Sequence, residues 1–145
     1  MTEMIKTYEP GADDDAIVAV WLAASRLAHA FLDEGFLLRE ADNIRTVYLP
    51  MADTRTAWAD GRLVGFISLL GDQVGGLFLD PAFHGRGLGR ALMDDAVARM
   101  GALELDVFVK NDIGRRFYAR YGFTVVEERI DEPTGEPVLH LRYAA

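Results

Sequence analysis

The feature that most constrains the fold is residues 77–92, where an apolar run, a glycine-rich turn and a helical pattern follow one another. Three glycines alternate with other residues in the turn: Gly85, Gly87 and Gly89. Glycine lets the backbone approach an anion closely, and the free amides of a following helix point toward it. Arg86 and Arg90 add positive charge. The stretch therefore predicts a strand–turn–helix unit that can bind phosphate, although an ordinary basic connection has the same pattern.

Two common phosphate loops are excluded by the spacing. A dinucleotide fingerprint needs glycine at position 90 or 92, where Arg90 and Leu92 stand. A P-loop needs Gly-Lys followed by Ser or Thr, which occurs nowhere in the chain.

Length and composition predict one soluble domain. The 145 residues are 50% apolar, which is enough to bury a core without a covalent staple. The absence of cysteine excludes disulfides and a cysteine nucleophile and fits a reducing compartment. Since we find no apolar run of signal-peptide or membrane-span length, we expect a cytoplasmic protein without a membrane partner.

The charge of the chain limits the classes of partner that it can bind. A net charge of −8 and a pI near 4.8 argue against nucleic acid, whose binding depends on clustered Lys and Arg. Several arginines nevertheless fall in the second half of the chain, where an anionic cofactor can be held, and the acidic remainder favours a cationic acceptor.

Hydrophobic periodicity and turn residues predict seven strands and four helices. The strands are expected at residues 4–8, 54–59, 63–70, 74–79, 103–109, 124–130 and 138–143. The helices are expected at residues 13–27, 36–48, 88–100 and 112–121, the second ended by Pro50. Asp60-Gly61 predicts a tight hairpin turn, and Gly75-Gly76 suggests a bulge.

Two motifs resemble those of the GNAT superfamily of N-acetyltransferases. Residues 81–89 resemble its pyrophosphate motif, with His84 where Gln or Arg is usual. Residues 111–123 resemble its second signature, Asn-x-x-Ala-x-x-Phe-Tyr-x-x-x-Gly-Phe, with Gly114 in place of alanine. Trp21, His29 and Phe31-Leu32 are also similar to a group of small bacterial members.

The resemblance implies an α/β (α+β) GNAT fold, with a mixed, mostly antiparallel, splayed sheet, and acetyl-CoA as cosubstrate. The backbone of the strand before the turn would then hold the pantetheine and thioester: Leu77, Phe78 and Leu79. The turn and helix start would hold the pyrophosphate: His84, Gly85, Arg86, Gly87, Leu88, Gly89 and Arg90. Asn111 would contact the pantetheine arm, and Tyr118 would also touch the cofactor.

Acetyl transfer to an amine needs a neutral nucleophile and a proton for the departing thiolate. Tyr118 occupies the position of the family's acid, although an aromatic residue beside Phe117 is also typical of a core. Asp106, which shares a strand face with Glu104, is a candidate base, although a solvated strand face explains both carboxylates equally well. His29 is the alternative base, although a histidine near a helix C-terminus also commonly contacts the last carbonyls of the helix. Phe31, Phe36 and His29 are candidate acceptor-binding residues, and Tyr48 could line the same pocket, although aromatic residues at such spacings are also typical of a core.

The chain is therefore predicted to be an acetyl-CoA-dependent N-acetyltransferase acting on a small cationic amine. Acetylation of a protein N-terminus or lysine, and a non-catalytic acetyl-CoA-binding module, are the alternatives. The three histidines show no metal-ligand spacing, so no metal is expected. The apolar last strand permits a homodimer.

Overall fold

Short apolar segments separated by glycine turns pair into one seven-stranded sheet in the computed structural model, which describes residues 3–144. The strand order is β1-β2-β3-β4-β5-β7-β6. The strands are β1 (Glu3–Thr7), β2 (Asp53–Ala59), β3 (Arg62–Leu70), β4 (Gln73–Leu79), β5 (Ala102–Phe108), β6 (Thr124–Ile130) and β7 (Pro137–Ala144). Only β4 and β5 run parallel, so the predicted mixed, mostly antiparallel sheet is confirmed.

Turn chemistry sets the hairpins of the first half of the sheet. Asp60 and Gly61 both have positive φ angles, 53° and 79°, as the predicted two-residue turn between β2 and β3 requires. The β3–β4 register shifts between Ser68 and Leu69, because Gly75 is an extra residue on β4. The predicted bulge is therefore present.

The sheet splays between β4 and β5. The two strands pair only at Gln73–Glu104 and Val74–Leu105 and then separate. β5 instead continues its ladder with β7 up to Phe108. The separation leaves the second half of β4 without a partner on that side and opens the sheet in its middle.

Helices cover both faces of the sheet and bury two apolar clusters. Helices α1 (Asp14–Ala28) and α2 (Glu34–Asn43) pack on one face, where Ile17, Leu37 and Phe66 are buried. Helices α4 (Leu88–Met100) and α5 (Asp112–Tyr121) cover the other. Its core includes fully buried members of α4 and β5: Leu92, Met93 and Leu103.

The sequence predicts that the second helical stretch ends before Pro50, but in the structure it continues past this residue. Helix α2 continues as a π-helix over Ile44–Tyr48 and then as one α-helical turn, α3 (Leu49–Met51). Pro50 lies in the first turn of α3, where a missing backbone N–H is tolerated. The predicted helix boundary is wrong because the proline starts a turn rather than interrupting one.

Within the described part of the chain, no helix combines the length and apolar character that a membrane crossing demands. β6 is an edge strand whose residues are all exposed. The proposed homodimer stays a prediction.

Candidate active site

A cleft of about 380 Å³ lies where β4, the glycine-rich turn and α5 meet. Its α5 wall is one helix face, because its residues recur at spacings of three and four: Ile113, Gly114, Phe117, Tyr118 and Tyr121. Leu77 and Leu79 form the opposite wall from β4. The cleft therefore brings the two sequence motifs together on the opened side of β4.

The glycine-rich turn has the backbone geometry that an anion site needs. Gly85 and Gly87 have φ angles of 82° and 80°, in the region that other residues rarely adopt. Gly87 is the N-cap of α4 and provides no side-chain cap, so the first amides of the helix remain available. A Cβ atom on either glycine would meet no described atom within 4 Å. Open space in front of free amides fits a pyrophosphate group.

The charged side chains around the turn differ in their positions. Arg90 and His84, which the sequence analysis expects at the pyrophosphate, line the cleft, and so does Arg120. Arg86 does not line the cleft; it lies over the ring of Phe83, 4.8 Å from its centroid, and 3.8 Å from Asp60. The arginines that line the cleft are Arg90, which also lies 5.1 Å from the Tyr121 ring centroid, and Arg120.

A second, smaller cavity lies on the other side of β4. Successive strand residues point to opposite faces, so Leu77 and Leu79 face the cleft, whereas Gly76 and Phe78 line the second cavity. This cavity has a volume of about 150 Å³ and is roofed by α1, α2 and the π-helix.

Tyr118 is buried in the wall of the cleft, with 8% of its surface exposed. Burial raises the pKa of its phenol above the ordinary value. None of the hydrogen bonds among residues 3–144 uses its hydroxyl. The phenol is thus a protonated donor at neutral pH that is free to bond a cofactor atom.

Asn111 links the second motif to the N-terminal half of the chain. Its Oδ1 accepts from the Gly114 amide at 2.9 Å and caps α5. Its Nδ2 therefore faces His29, whose Nε2 lies 3.3 Å away. A Cβ on Gly114 would lie 2.6 Å from Nδ2, so the departure from alanine at this position makes room for the Asn111 side chain.

His29 is packed by aromatic rings. Its ring centroid lies 5.0 Å from that of Phe108 and 5.8 Å from that of Phe31, both edge-to-face. Burial lowers the pKa of His29 to about 4, so the ring is neutral at neutral pH and accepts the Asn111 hydrogen bond. Because its pKa is this low, the neutral imidazole takes up a proton only weakly and is a poor general base.

Comparisons with known proteins agree with this geometry. The sequence model of the acetyltransferase (GNAT) domain family matches residues 52–125, which include the turn and all of α5. The chain belongs to the GNAT acetyltransferase family. This acetyltransferase is 32% identical to the peptidyl-lysine N-acetyltransferase YiaC of Escherichia coli K12 over 77% of each chain. It is 30% identical to YjaB, a peptidyl-lysine N-acetyltransferase of the same strain, over 90% of each.

Solved structures confirm the fold of the acetyltransferase. The solution structure of apo-form YjaB from Escherichia coli superposes with a TM-score of 0.87 at 29% identity, covering 99% of this chain and 98% of that one. The PaiA N-acetyltransferase of Thermoplasma acidophilum, solved with coenzyme A, gives a TM-score of 0.78 at 19% identity over the full length of both. The chain is an acetyl-CoA-dependent acyltransferase, as its sequence predicts.

Asp106 of the acetyltransferase lies in an ion-pair network on the opposite face of β5 from the buried Leu105. Arg129 binds both of its carboxylate oxygens, and His140 Nδ1 lies 2.8 Å from Oδ1. Burial opposes ionisation, but the Arg129 and His140 hydrogen bonds outweigh it and hold the pKa of Asp106 below its usual range. His140 Nε2 also lies 2.6 Å from Glu104 Oε1.

His140 gives the acetyltransferase a pH-dependent stability. Carboxylates only accept, so both ring nitrogens donate, as in an imidazolium, and the Glu104 and Asp106 hydrogen bonds raise the pKa of His140. Its stabilisation is therefore complete below the unfolded pKa of about 6.5 and is lost as pH rises through the folded pKa. We expect the free energy of unfolding to fall by about 0.5–1 kcal/mol between pH 6.5 and 9, measured by urea denaturation. His140→Gln should remove this slope; an unchanged slope would contradict the assignment.

The predicted acceptor residues do not form one pocket. Phe31 packs on His29 and Phe108, whereas Phe36 packs against the core under α1 and α2. The sequence analysis did not single out Phe108 or Tyr121, although helical spacing from Tyr118 identifies Tyr121; Arg120 is one of the second-half arginines expected near an anionic cofactor. In residues 3–144 no cluster of three or more His, Asp and Glu side chains is arranged to hold a metal ion.

Proposed function

We propose that this acetyltransferase transfers the acetyl group of acetyl-CoA to lysine side chains of proteins or peptides. The observation that carries the proposal is the similarity to two peptidyl-lysine N-acetyltransferases over 77% and 90% of the chain. The net charge of −8 supports a cationic acceptor. The proposal replaces the small amine predicted from the sequence with its protein-bound alternative.

The donor site of the proposed reaction is the cleft. Amides at the start of α4, with Arg90 and Arg120, would hold the pyrophosphate. The backbone of Leu77 to Leu79, which has no strand partner on the β5 side, would hold the pantetheine arm. Bound there, acetyl-CoA supplies the activated acetyl thioester. Holding the thioester and the amine together supplies on the order of 7–11 kcal/mol of the barrier reduction, so no enzyme nucleophile is needed.

Proton transfers are assigned to side chains of both motifs. Tyr118 donates a proton or a hydrogen bond to the leaving thiolate, because its phenol stays protonated at neutral pH. Asp106 and His29 remain the candidates for accepting the proton of the amine. Asp106 is ionised and half-exposed, and so can act through water, whereas His29 is neutral and bonded to Asn111.

The acceptor is tested by turnover on two matched panels. One panel contains Nα-acetylated peptides with a single lysine, and the other contains small polyamines and amino sugars. Release of coenzyme A is followed with a disulfide reagent, since the cysteine-free protein adds no thiol of its own. We expect kcat/KM to be highest for lysine peptides. A higher kcat/KM for small amines would overturn the proposal, and acetyl-CoA binding without any turnover would favour a binding module.

A further inference from the structure

The 150 Å³ cavity lies on the opposite side of β4 from the donor cleft. Where it meets the strand, Gly75 and Gly76 present no side chain. The Phe78 ring lies over Gly76, so the cavity reaches the backbone of β4 at Gly75, beside the opening between β4 and β5. The opening begins next to these glycines, because Val74 is the last residue of β4 that pairs with β5. The cavity is therefore placed to admit a second reactant to the place where the thioester is delivered.

The lining of this cavity combines apolar walls with one charge. Trp21 and Phe66 pack against Phe78, with centroid distances of 6.2 and 5.5 Å. Glu40 is the only charged side chain among the lining residues. Its Oε2 accepts from Asn43 at 2.9 Å, and its Oε1 accepts no hydrogen bond from the described residues. Such a site suits an apolar stem that ends in a cation.

The volume of the cavity limits which part of an acceptor can enter it. A space of about 150 Å³ is comparable to a protein cavity that holds one benzene molecule. It holds one slender aliphatic chain of about the length of a lysine side chain, whereas a whole amino sugar needs more room. The remainder of the acceptor must then lie outside the cavity, as the backbone of a peptide would.

The π-helix provides an independent indication of function at this cavity. π-helical turns are rare and occur frequently at functional sites. Here the π-helix spans Ile44–Tyr48, and its first and last residues both line the cavity. The π-helical turn thus shapes the wall opposite β4.

From these observations we infer that the cavity is the pocket for the acceptor lysine side chain, with Glu40 binding its ammonium group on entry, before the amine gives its proton to one of the candidate bases and attacks the thioester. The aromatic residues enclose the methylene stem, and Glu40 recognises the charge that distinguishes lysine from an apolar side chain. This inference rests on the proposed function and adds the residue that determines acceptor specificity.

Glu40→Gln tests the pocket because it keeps the shape and the Asn43 hydrogen bond but removes the charge. Asp42→Asn is the matched control: it makes the same change of charge on α2 at an exposed residue outside the cavity. We expect the KM for a lysine peptide to rise about tenfold or more in Glu40→Gln, with kcat and the Kd for acetyl-CoA nearly unchanged. Asp42→Asn should retain the wild-type KM.

The outcomes separate the two proposals. If the wild type acetylates lysine peptides and Glu40→Gln has the same KM as Asp42→Asn, the pocket assignment is wrong and the function stands. If the wild type acetylates no lysine peptide, the proposed function fails and the lysine pocket fails with it. Titration of n-butylamine into the coenzyme A complex gives a readout without turnover, since binding should shift the Trp21 indole resonance in the wild type and in Asp42→Asn but at tenfold higher concentration in Glu40→Gln.

Discussion

Replacement of Tyr118 by phenylalanine is expected to lower kcat by about 100-fold or more, the usual effect of removing a positioned acid. The Kd for acetyl-CoA should change by less than about threefold, because the ring continues to fill the cleft wall and only the hydroxyl is lost. The fold should be unaffected, since the hydroxyl makes no hydrogen bond within residues 3–144. Stopped-flow release of coenzyme A and calorimetric titration measure the two quantities.

Tyr143→Phe is the matched control for this experiment. Tyr143 belongs to an aromatic cluster with Tyr121 and Phe123 and does not line the cleft. Its variant should turn over at nearly the wild-type rate. Equal kcat values for Tyr118→Phe and the wild type would remove Tyr118 from the reaction, and a matching loss in Tyr143→Phe would indicate a general packing effect.

Local chemistry explains why α5 could be predicted to the residue. Asn111 caps its start by accepting the Gly114 amide, and Gly122 ends it with a φ angle of 121°. Both end signals act within one turn of the helix, so they are readable from the sequence. The boundary at Pro50 was wrong because a proline can begin a turn as well as stop a helix, and the π-helix before it depends on tertiary packing.

The donor cleft was accessible to sequence reasoning because both of its walls carry motifs. Strand alternation places Leu77 and Leu79 together, and helical spacing extends the other wall from Gly114 to Tyr121. The ion-pair network around Asp106 could be predicted from the sequence only in part. Alternation pairs Asp106 with Glu104, but Arg129 and His140 arrive from other strands through pairing registers that no local pattern specifies.

Of the cavity proposed for the acceptor, the sequence pointed only to Tyr48. The cavity walls come from α1, α2, the π-helix and two strands, so the cavity exists only after long-range packing. In the sequence, Glu40 has the pattern of an ordinary solvated helix residue, and only the packing of α2 in the fold makes it part of the cavity wall. The contact between His29 and Asn111, 82 residues apart in sequence, is of the same kind. Burial between Phe31 and Phe108 explains why His29, a histidine with a suitable ordinary pKa, becomes a weak base.

Gly87→Ala is expected to weaken coenzyme A binding by about 10- to 100-fold, or roughly 1.4–2.8 kcal/mol. Two effects add. A methyl group would project into the open space before the α4 amides, where the pyrophosphate is proposed to lie, and the φ angle of 80° costs alanine on the order of 1 kcal/mol. The second effect also lowers the free energy of unfolding, so calorimetry on folded protein must be paired with urea denaturation.

Gly71→Ala separates strain from ligand contact. Gly71 also has a positive φ angle, 63°, and open space around its Cβ position, but it lies in the β3–β4 turn away from the cleft. Its variant should lose similar stability and keep the wild-type Kd. A second discriminator is acetyl-pantetheine, which lacks the pyrophosphate: its KM should be the same in Gly87→Ala and the wild type. If Gly87→Ala weakened both donors equally, the defect would lie in the fold of the cleft rather than in the pyrophosphate contact, and the assignment of the glycine-rich turn would be wrong.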